Sequence, residues 1–411
     1  MLSTFFKSTV RIQALLDDPA GGLFEGFAQA LSETGYSTTT ARRYLRAAEH
    51  LSCWSDRHGI PVCNLNEQSL ARFERHLRPR YNHANQARMV HGARVFLTHL
   101  RDARIVAASA IKQPVDEPPL LSAFCQWMRE QRGACEATLW DYGRYIREWL
   151  RHGGEETRLW NARSLRAFVL EKSRTCGWAT VKNCTTALRM FVRFLIVDCR
   201  CPIGLDAVIP TFAHWRLASL PKYLQPEDVE RLIASPDRAL PVGRRDRAIL
   251  LLLARLGLRA GDIVHLRLSD IDWQGAWIHV CGKGRRHTRL PLTHEVGQAI
   301  VDYLLEGRPQ TRAEELFVRC RAPFRVLGSH HAVSAIVNRA FRRAGVKRPG
   351  RGAAHLLRHS VATSMLRQGA SLGDIAAVLR HRSIATTQIY AKVDITALQQ
   401  IAQPWPEVRS C

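Results

Sequence analysis

No stretch of this 411-residue sequence is apolar for long enough to cross a membrane: the longest greasy run extends only from Ala248 to Ala254, against the ~20 residues a spanning helix needs. Cysteine is present without organisation. The eleven cysteines are an odd number, no C-x-x-C pair occurs, and the closest two, Cys199 and Cys201, have one residue between them. That removes zinc ribbons and thioredoxin-like redox sites from consideration. The N-terminus has no apolar core of a leader, because Lys7 and Arg11 interrupt it, so no secretory signal is expected. A large basic chain of this kind is expected in a reducing cytoplasm, with its thiols free. Acidic residues are scarce: 36 Asp and Glu stand against 60 Lys and Arg, leaving a net charge of +24 and a pI near 10.4. Such an excess suits a polyanionic partner, since each neutralised phosphate releases condensed counterions. A ribosome-associated protein or a merely basic surface would show the same excess, so charge alone does not select DNA.

What is present begins with length. A chain of this size is too long for one core, and two or three domains are expected. Two Pro-bearing stretches without clear periodicity, Ala107–Pro119 and Pro202–Pro221, read as linkers. The parts before each linker resemble one another. Phe27-Ala-Gln-Ala-Leu31 matches Phe124-Cys-Gln-Trp-Met128, and Thr40-x-x-x-Tyr44 matches Thr138-x-x-x-Tyr142. Ser69-Leu-Ala-Arg-Phe73 matches Ser164-Leu-Arg-Ala-Phe168, and Arg94-Val-Phe96 with Leu100 matches Arg189-Met-Phe191 with Leu195. The offset stays between 95 and 98 residues, which points to a duplicated small helical domain. Both copies place apolar residues at helical spacing with basic residues opposite, as in Tyr142, Tyr145, Ile146 and Trp149 beside Arg144, Arg147 and Arg151. A single such arginine is as readily an ordinary solvated charge. The repetition of the pattern favours DNA backbone contact.

The third part, from about Pro221, mixes helices with one hairpin. Arg244–Leu256 reads as an apolar helix stopped by Gly257. Trp277–Val280 and Thr288–Leu292 are strand-like and joined by Cys281-Gly-Lys-Gly-Arg-Arg-His287. Ala353–Leu366, Leu372–Leu379 and Thr386–Val393 read as helices.

Four strings in this part, in order, resemble the tyrosine recombinase (phage integrase) family over roughly residues 221–393. Leu256-Gly-Leu-Arg259-Ala-Gly-Asp262 is similar to the segment holding the family's first catalytic arginine. Gly282-Lys283-Gly-Arg-Arg-His-Thr-Arg-Leu-Pro-Leu292 resembles its β-hairpin lysine loop. His355-Leu-Leu-Arg358-His resembles the H-x-x-R box, and Leu379-Arg-His381 followed nine residues later by Tyr390 resembles the last box and the nucleophile. One departure stands out: Arg380 occupies the position where a glycine usually precedes the histidine.

The chemistry needs these residue types. A phosphodiester attacked by a phenolic oxygen gathers charge on its non-bridging oxygens, and planar guanidiniums stabilise it through paired hydrogen bonds. Arg259 and Arg358 are the candidates. His355 and Arg358, at i and i+3, share a helix face, and His381 would add a third donor. The resemblance implies Tyr390 as nucleophile, giving a 3′-phosphotyrosine and a free 5′-hydroxyl. Lys283, between two glycines, is the candidate general acid for the leaving oxygen, and Asp262 is expected to orient Arg259 or His355. Taken singly, each is as well read as a surface charge, a turn residue, a satisfied core histidine or a tyrosine at a helix edge.

The resemblance implies a mainly α fold: two SAM-like helical core-binding domains, residues 1–106 and 120–201, followed by a mixed α/β catalytic domain, residues 221–398, clamped around duplex DNA. It further implies a homotetramer, or a tetramer with related recombinases, on two DNA sites, with no metal or other cofactor. The activity implied is site-specific recombination: integration, excision or transposition of a mobile element. Two alternatives stay open on the residues: a type IB topoisomerase, and a basic helical DNA-binding regulator.

Overall fold

The computed structural model describes residues 1–107, 117–211, 220–282, 286–350, 352–394 and 398–399. It is mainly helical with one small sheet, and forms two compact units: Met1–Val106 together with Leu217–Cys411, and Ala107–Arg216. No helix among the described residues is long and apolar enough to cross a membrane.

The first helical segment runs α1 Leu2–Phe5, α2 Thr9–Leu16, α3 Gly21–Glu33, α4 Thr38–Arg57, α5 Glu67–Leu77 and α6 His83–Asp102. Helices α4, α5 and α6 start where short polar side chains take up otherwise unpaired backbone donors: Ser37 accepts from Thr40 N–H, Asn66 from Ser69 N–H and Asn82 from Asn85 N–H. Each such cap contributes about 1 kcal/mol. The helices close over Phe24, Phe27, Leu45, Phe73 and Phe96, all buried.

The second segment runs α7 Pro119–Arg132, α8 Glu136–Gly153, α9 Ala162–Thr175 and α10 Trp178–Val197. Pro119 opens α7, where a missing N–H costs nothing, and Gly133 ends it in the left-handed region at φ 56°. The order of elements repeats that of α3 to α6. Each copy places a short 3₁₀ turn, Val62–Asn64 or Thr157–Leu159, before its third helix. That helix is capped by Asn66 in one copy and Asn161 in the other, each accepting from a serine N–H three residues on, at 3.0 Å. Phe124, Trp149, Phe168 and Phe191 fill the second core. This core does not stop at residue 201. Leu205 and Ile209 are buried in it, and Arg189 and Arg193 donate to the Ile209 carbonyl and the Asp206 carboxylate. The start of the expected Pro202–Pro221 linker therefore packs as part of the domain, through Leu205 and Ile209 with Val208 partly buried beside them.

The third segment contains α11 Pro226–Ala234, α12 Pro241–Ala254, α13 Ala260–His265, β1 Ile271–Asp272, β2 Trp277–Gly282, β3 Arg286–Pro291, α14 His294–Glu306, α15 His330–Ala344, α16 Ala353–Arg367 and α17 Leu372–Val378. The antiparallel order is β1-β2-β3, with Val280 opposite Thr288 and Trp277 opposite Pro291, as the alternation of side chains anticipates. Ala248 to Ala254 are all buried, which makes α12 the central helix of this core. It ends at Ala254, before Gly257. Gly257 serves instead at a left-handed turn, φ 58°, where a Cβ would come within 2.7 Å of the Leu379 side chain. The stretch expected to be a helix over Thr386–Val393 consists of 3₁₀ turns, Ile384–Thr386 and Gln388–Val393.

Candidate active site

Three turns of chain meet in the third segment: the α12–α13 connection, the buried face of α16, and the end of α17 with the 3₁₀ turns beyond it. Arg259 sits just before α13, and its backbone N–H donates to Asp262 Oδ2 at 2.9 Å. That bond fixes where the guanidinium starts. Its Nη2 reaches the Arg380 carbonyl at 3.0 Å and the Leu379 carbonyl at 3.5 Å. Arg358, on α16 and only 5% exposed, donates from Nη1 to the Gly257 carbonyl and from Nη2 to the Leu379 carbonyl. Both arginines therefore converge on one peptide unit at the end of α17.

That end is built as a Schellman turn. Arg380 N–H donates to the Ala377 carbonyl at 3.0 Å, and His381 N–H to the Ala376 carbonyl at 2.9 Å. The turn requires a left-handed residue, and Arg380 adopts it at φ 53°, at a cost of about 1 kcal/mol relative to glycine. Its side chain folds back onto Asp262, Nη2 to Oδ2 at 2.6 Å, with both side chains under 10% exposed. Asp262 thus holds the backbone of Arg259 and the side chain of Arg380. His381, set by the same turn, accepts or donates through Nδ1 to Thr387 Oγ1 at 2.8 Å.

Tyr390 is 1% exposed, and its hydroxyl lies 2.7 Å from Nδ1 of His359. Burial pushes the phenol up to about 12, and Arg358 opposes that rise. Burial, followed by His355 and Arg358, pulls His359 down to about 4. The imidazole is therefore neutral at physiological pH, and in the tautomer protonated at Nε2 its Nδ1 accepts the tyrosine O–H. Burial, then Arg358, Arg259 and His359, likewise hold His381 at about 4. His355 stays at the exposed edge of α16, its ring centroid 6.2 Å from that of His359. The low-dielectric protein around it, then Arg358, Arg259 and His330, lower its pKa. Burial, then Arg259 and Arg380, weaken the hold of Arg358 on its proton, to about 9. A guanidinium nonetheless stays charged.

Arg259, Asp262, Arg358, His381 and Tyr390 are thus brought together, with His355 at the rim. Lys283 falls between β2 and β3 and lies outside the described residues. Sequence reasoning missed His359, which directly follows the H-x-x-R string. Its signal was the i, i+4 spacing from His355 on one helix. The arrangement offers a buried phenol with a neutral base in contact and three guanidiniums against one carboxylate, a set suited to an in-line attack on a phosphodiester.

Residues 222–396 match the phage integrase family. The chain is 36% identical to y4rA of Sinorhizobium fredii, which is named as an integrase/recombinase, over 92% of this chain and 93% of that one. It is 32% identical to the tyrosine recombinase XerD of Listeria innocua, over 54% of this chain and 74% of that one. Among solved structures, a lambda integrase fragment, crystallised as a dimer bound to a COC′ core site, matches with a TM-score of 0.52 at 19% identity, covering 71% of this chain and 98% of that one. The XerH site-specific recombinase bound to its difH substrate in a pre-cleavage complex gives a TM-score of 0.52 at 19% identity, covering 67% of this chain and 83% of that one. These two likenesses concern the fold.

Proposed function

The chain belongs to the phage integrase family, and on that premise we propose that Tyr390 is the nucleophile with which this site-specific tyrosine recombinase cuts and rejoins duplex DNA. The observation that carries the assignment is the convergence of Arg259 and Arg358 on the Leu379 carbonyl, beside a tyrosine already hydrogen-bonded to a neutral imidazole.

The Tyr390 oxygen attacks the phosphorus while its proton passes to Nδ1 of His359, which becomes an imidazolium. Arg259 and Arg358, with His381, take up the charge that develops on the non-bridging oxygens. The P–O bond to the 5′-oxygen breaks, and that oxygen takes a proton from the candidate acid Lys283. A 3′-phosphotyrosine and a 5′-hydroxyl result. Because the phosphoester bond is exchanged rather than hydrolysed, a second 5′-hydroxyl reverses every step, and no nucleotide is consumed. Residues 1–106 and 120–201 are read as DNA-gripping domains and 221–398 as the catalytic domain, assembled as a tetramer on two DNA sites to integrate, excise or transpose a mobile element.

The test uses nicked duplexes made from the ends of the element that encodes the chain. The wild-type chain forms an adduct that survives denaturation, and the linked peptide contains Tyr390. Tyr390→Phe binds the same duplex and forms none. An adduct persisting in that variant removes Tyr390 from the role.

A further inference from the structure

Arg380 is unlike the other arginines of the site. Its side chain is 6% exposed and makes one ion pair, Nη2 to Asp262, while Nε and Nη1 are buried and have no hydrogen-bond partner among the described residues. A buried guanidinium with three idle N–H donors on two nitrogens is expensive unless a ligand completes it. Among the described residues no neighbouring side chain partners them. Arg259 and Arg358 are cations, each acted on electrostatically by Arg380, and Asp262 already accepts from Arg380 and from the Arg259 backbone. Such donors suit an anion with several acceptor oxygens.

We infer that Arg380 is a third phosphate-binding guanidinium of the cut site, completing with Arg259 and Arg358 a cradle for the scissile phosphate. Asp262 aims it from one side. The left-handed turn aims it from the other, because the backbone that directs the Arg380 side chain also offers its carbonyl to Arg259. The same turn leads through His381 to Tyr390, so an opening that admits DNA to the tyrosine also uncovers Arg380. The residue is not a neutral replacement for glycine, whose place it takes in the resemblance: it adds a donor and a charge where glycine adds neither.

This inference rests on the recombinase reading, and its test separates the two. The cut position is first mapped from the oligonucleotide left on the protein. Single-turnover adduct formation is then measured on a nicked duplex with an ordinary scissile phosphodiester and on one with a methylphosphonate, which lacks one anionic oxygen. Arg380→Gln and Arg380→Gly are compared with the wild-type chain, melting temperatures being recorded for each; the glutamine preserves much of the side-chain volume should the glycine variant fold poorly. Loss of one preorganised donor slows the phosphodiester by about 10²–10³, and most of that deficit is expected to disappear on the neutral substrate. Wild-type rates in both variants, or an equal deficit on both substrates, overturn the role of Arg380. Absence of any adduct with the wild-type chain overturns the recombinase reading and this inference together.

Discussion

The Tyr390 hydroxyl and Nδ1 of His359 are 2.7 Å apart, one hydrogen bond between two groups whose proton affinities burial has driven in opposite directions. The phenol holds its proton up to about 12 and the imidazole refuses one down to about 4. In the proposed attack, a negative transition state stabilised by the nearby guanidiniums makes the transfer between them favourable. Replacing His359 by Phe is therefore expected to slow adduct formation by about 10²–10⁴, the usual range for a positioned base, while leaving DNA affinity unchanged. An unaltered single-turnover rate would remove His359 from the proton path.

Acid should destabilise the fold through the same histidines. His359 and His381 have folded pKa values of about 4, below the ~6.5 of an unfolded imidazole. The unfolded chain binds more protons between those values, so stability is complete above about pH 6.5 and declines as pH falls toward 4. Carboxylates also titrate at the lower end. The discriminating measurement is accordingly the melting temperature of the wild-type chain against His381→Asn from pH 8 to 4.5, where the variant should show a shallower acid loss. Parallel curves would contradict this account.

Arg358 and Arg259 should separate in stability though not in catalysis. Each alanine variant is expected to cut about 10²–10³ more slowly. Arg358→Ala also leaves the Gly257 and Leu379 carbonyls without this donor inside the protein, and an unsatisfied buried group costs about 1–3 kcal/mol. Its melting temperature should fall further than that of Arg259→Ala, whose side chain is half-buried. Arg358→Lys should fail to rescue, since one ammonium does not reproduce a planar fork reaching two carbonyls. Full rescue by lysine would show that charge alone suffices.

Lys283→Ala should be impaired on an ordinary substrate and restored on one whose 5′-leaving atom is sulfur, which departs with little need of a proton. Equal impairment on both would make Lys283 a phosphate binder.

Deleting residues 1–106 uncovers Phe324, whose ring lies so near Gly35 that a Cβ there would sit 2.2 Å from it. The 107–411 fragment is nevertheless expected to form the covalent adduct, with weaker binding and a shallower dependence of log K on log salt as fewer phosphates are neutralised. A folded fragment that binds but never reacts would place the first helical segment in the active assembly.

Much of the architecture was legible because its elements are long and periodic. The β2–β3 hairpin follows side-chain alternation, α16 begins at the expected Ala353, and the two helical segments repeat at the spacing of their matched strings. The Gln388–Val393 turn was not legible: six residues are too few for a 3.6 period to be told from 3.0, and the path is set by contacts distant in sequence, such as Tyr390 with His359. Leu205 and Ile209 were missed because burial there depends on the neighbouring helices. His359 was missed because its i, i+4 spacing from His355 marks a shared helix face but not what that face meets; its partner arrives from 31 residues away. Arg380 was visible as a departure from the family pattern. That its turn would remain left-handed, with the side chain folded inward, needed the third dimension.

The burial of Tyr390 bears on fidelity. A basic chain meets far more chance DNA than target sites, and its charge ensures that many such encounters last. On the proposed assignment, a tyrosine with its oxygen out of solvent and its proton held turns none of them into a strand break unless the turn that carries it rearranges. Accidental damage is then limited by how seldom wrong DNA drives that rearrangement, and a high general affinity for DNA becomes compatible with a harmless resting protein.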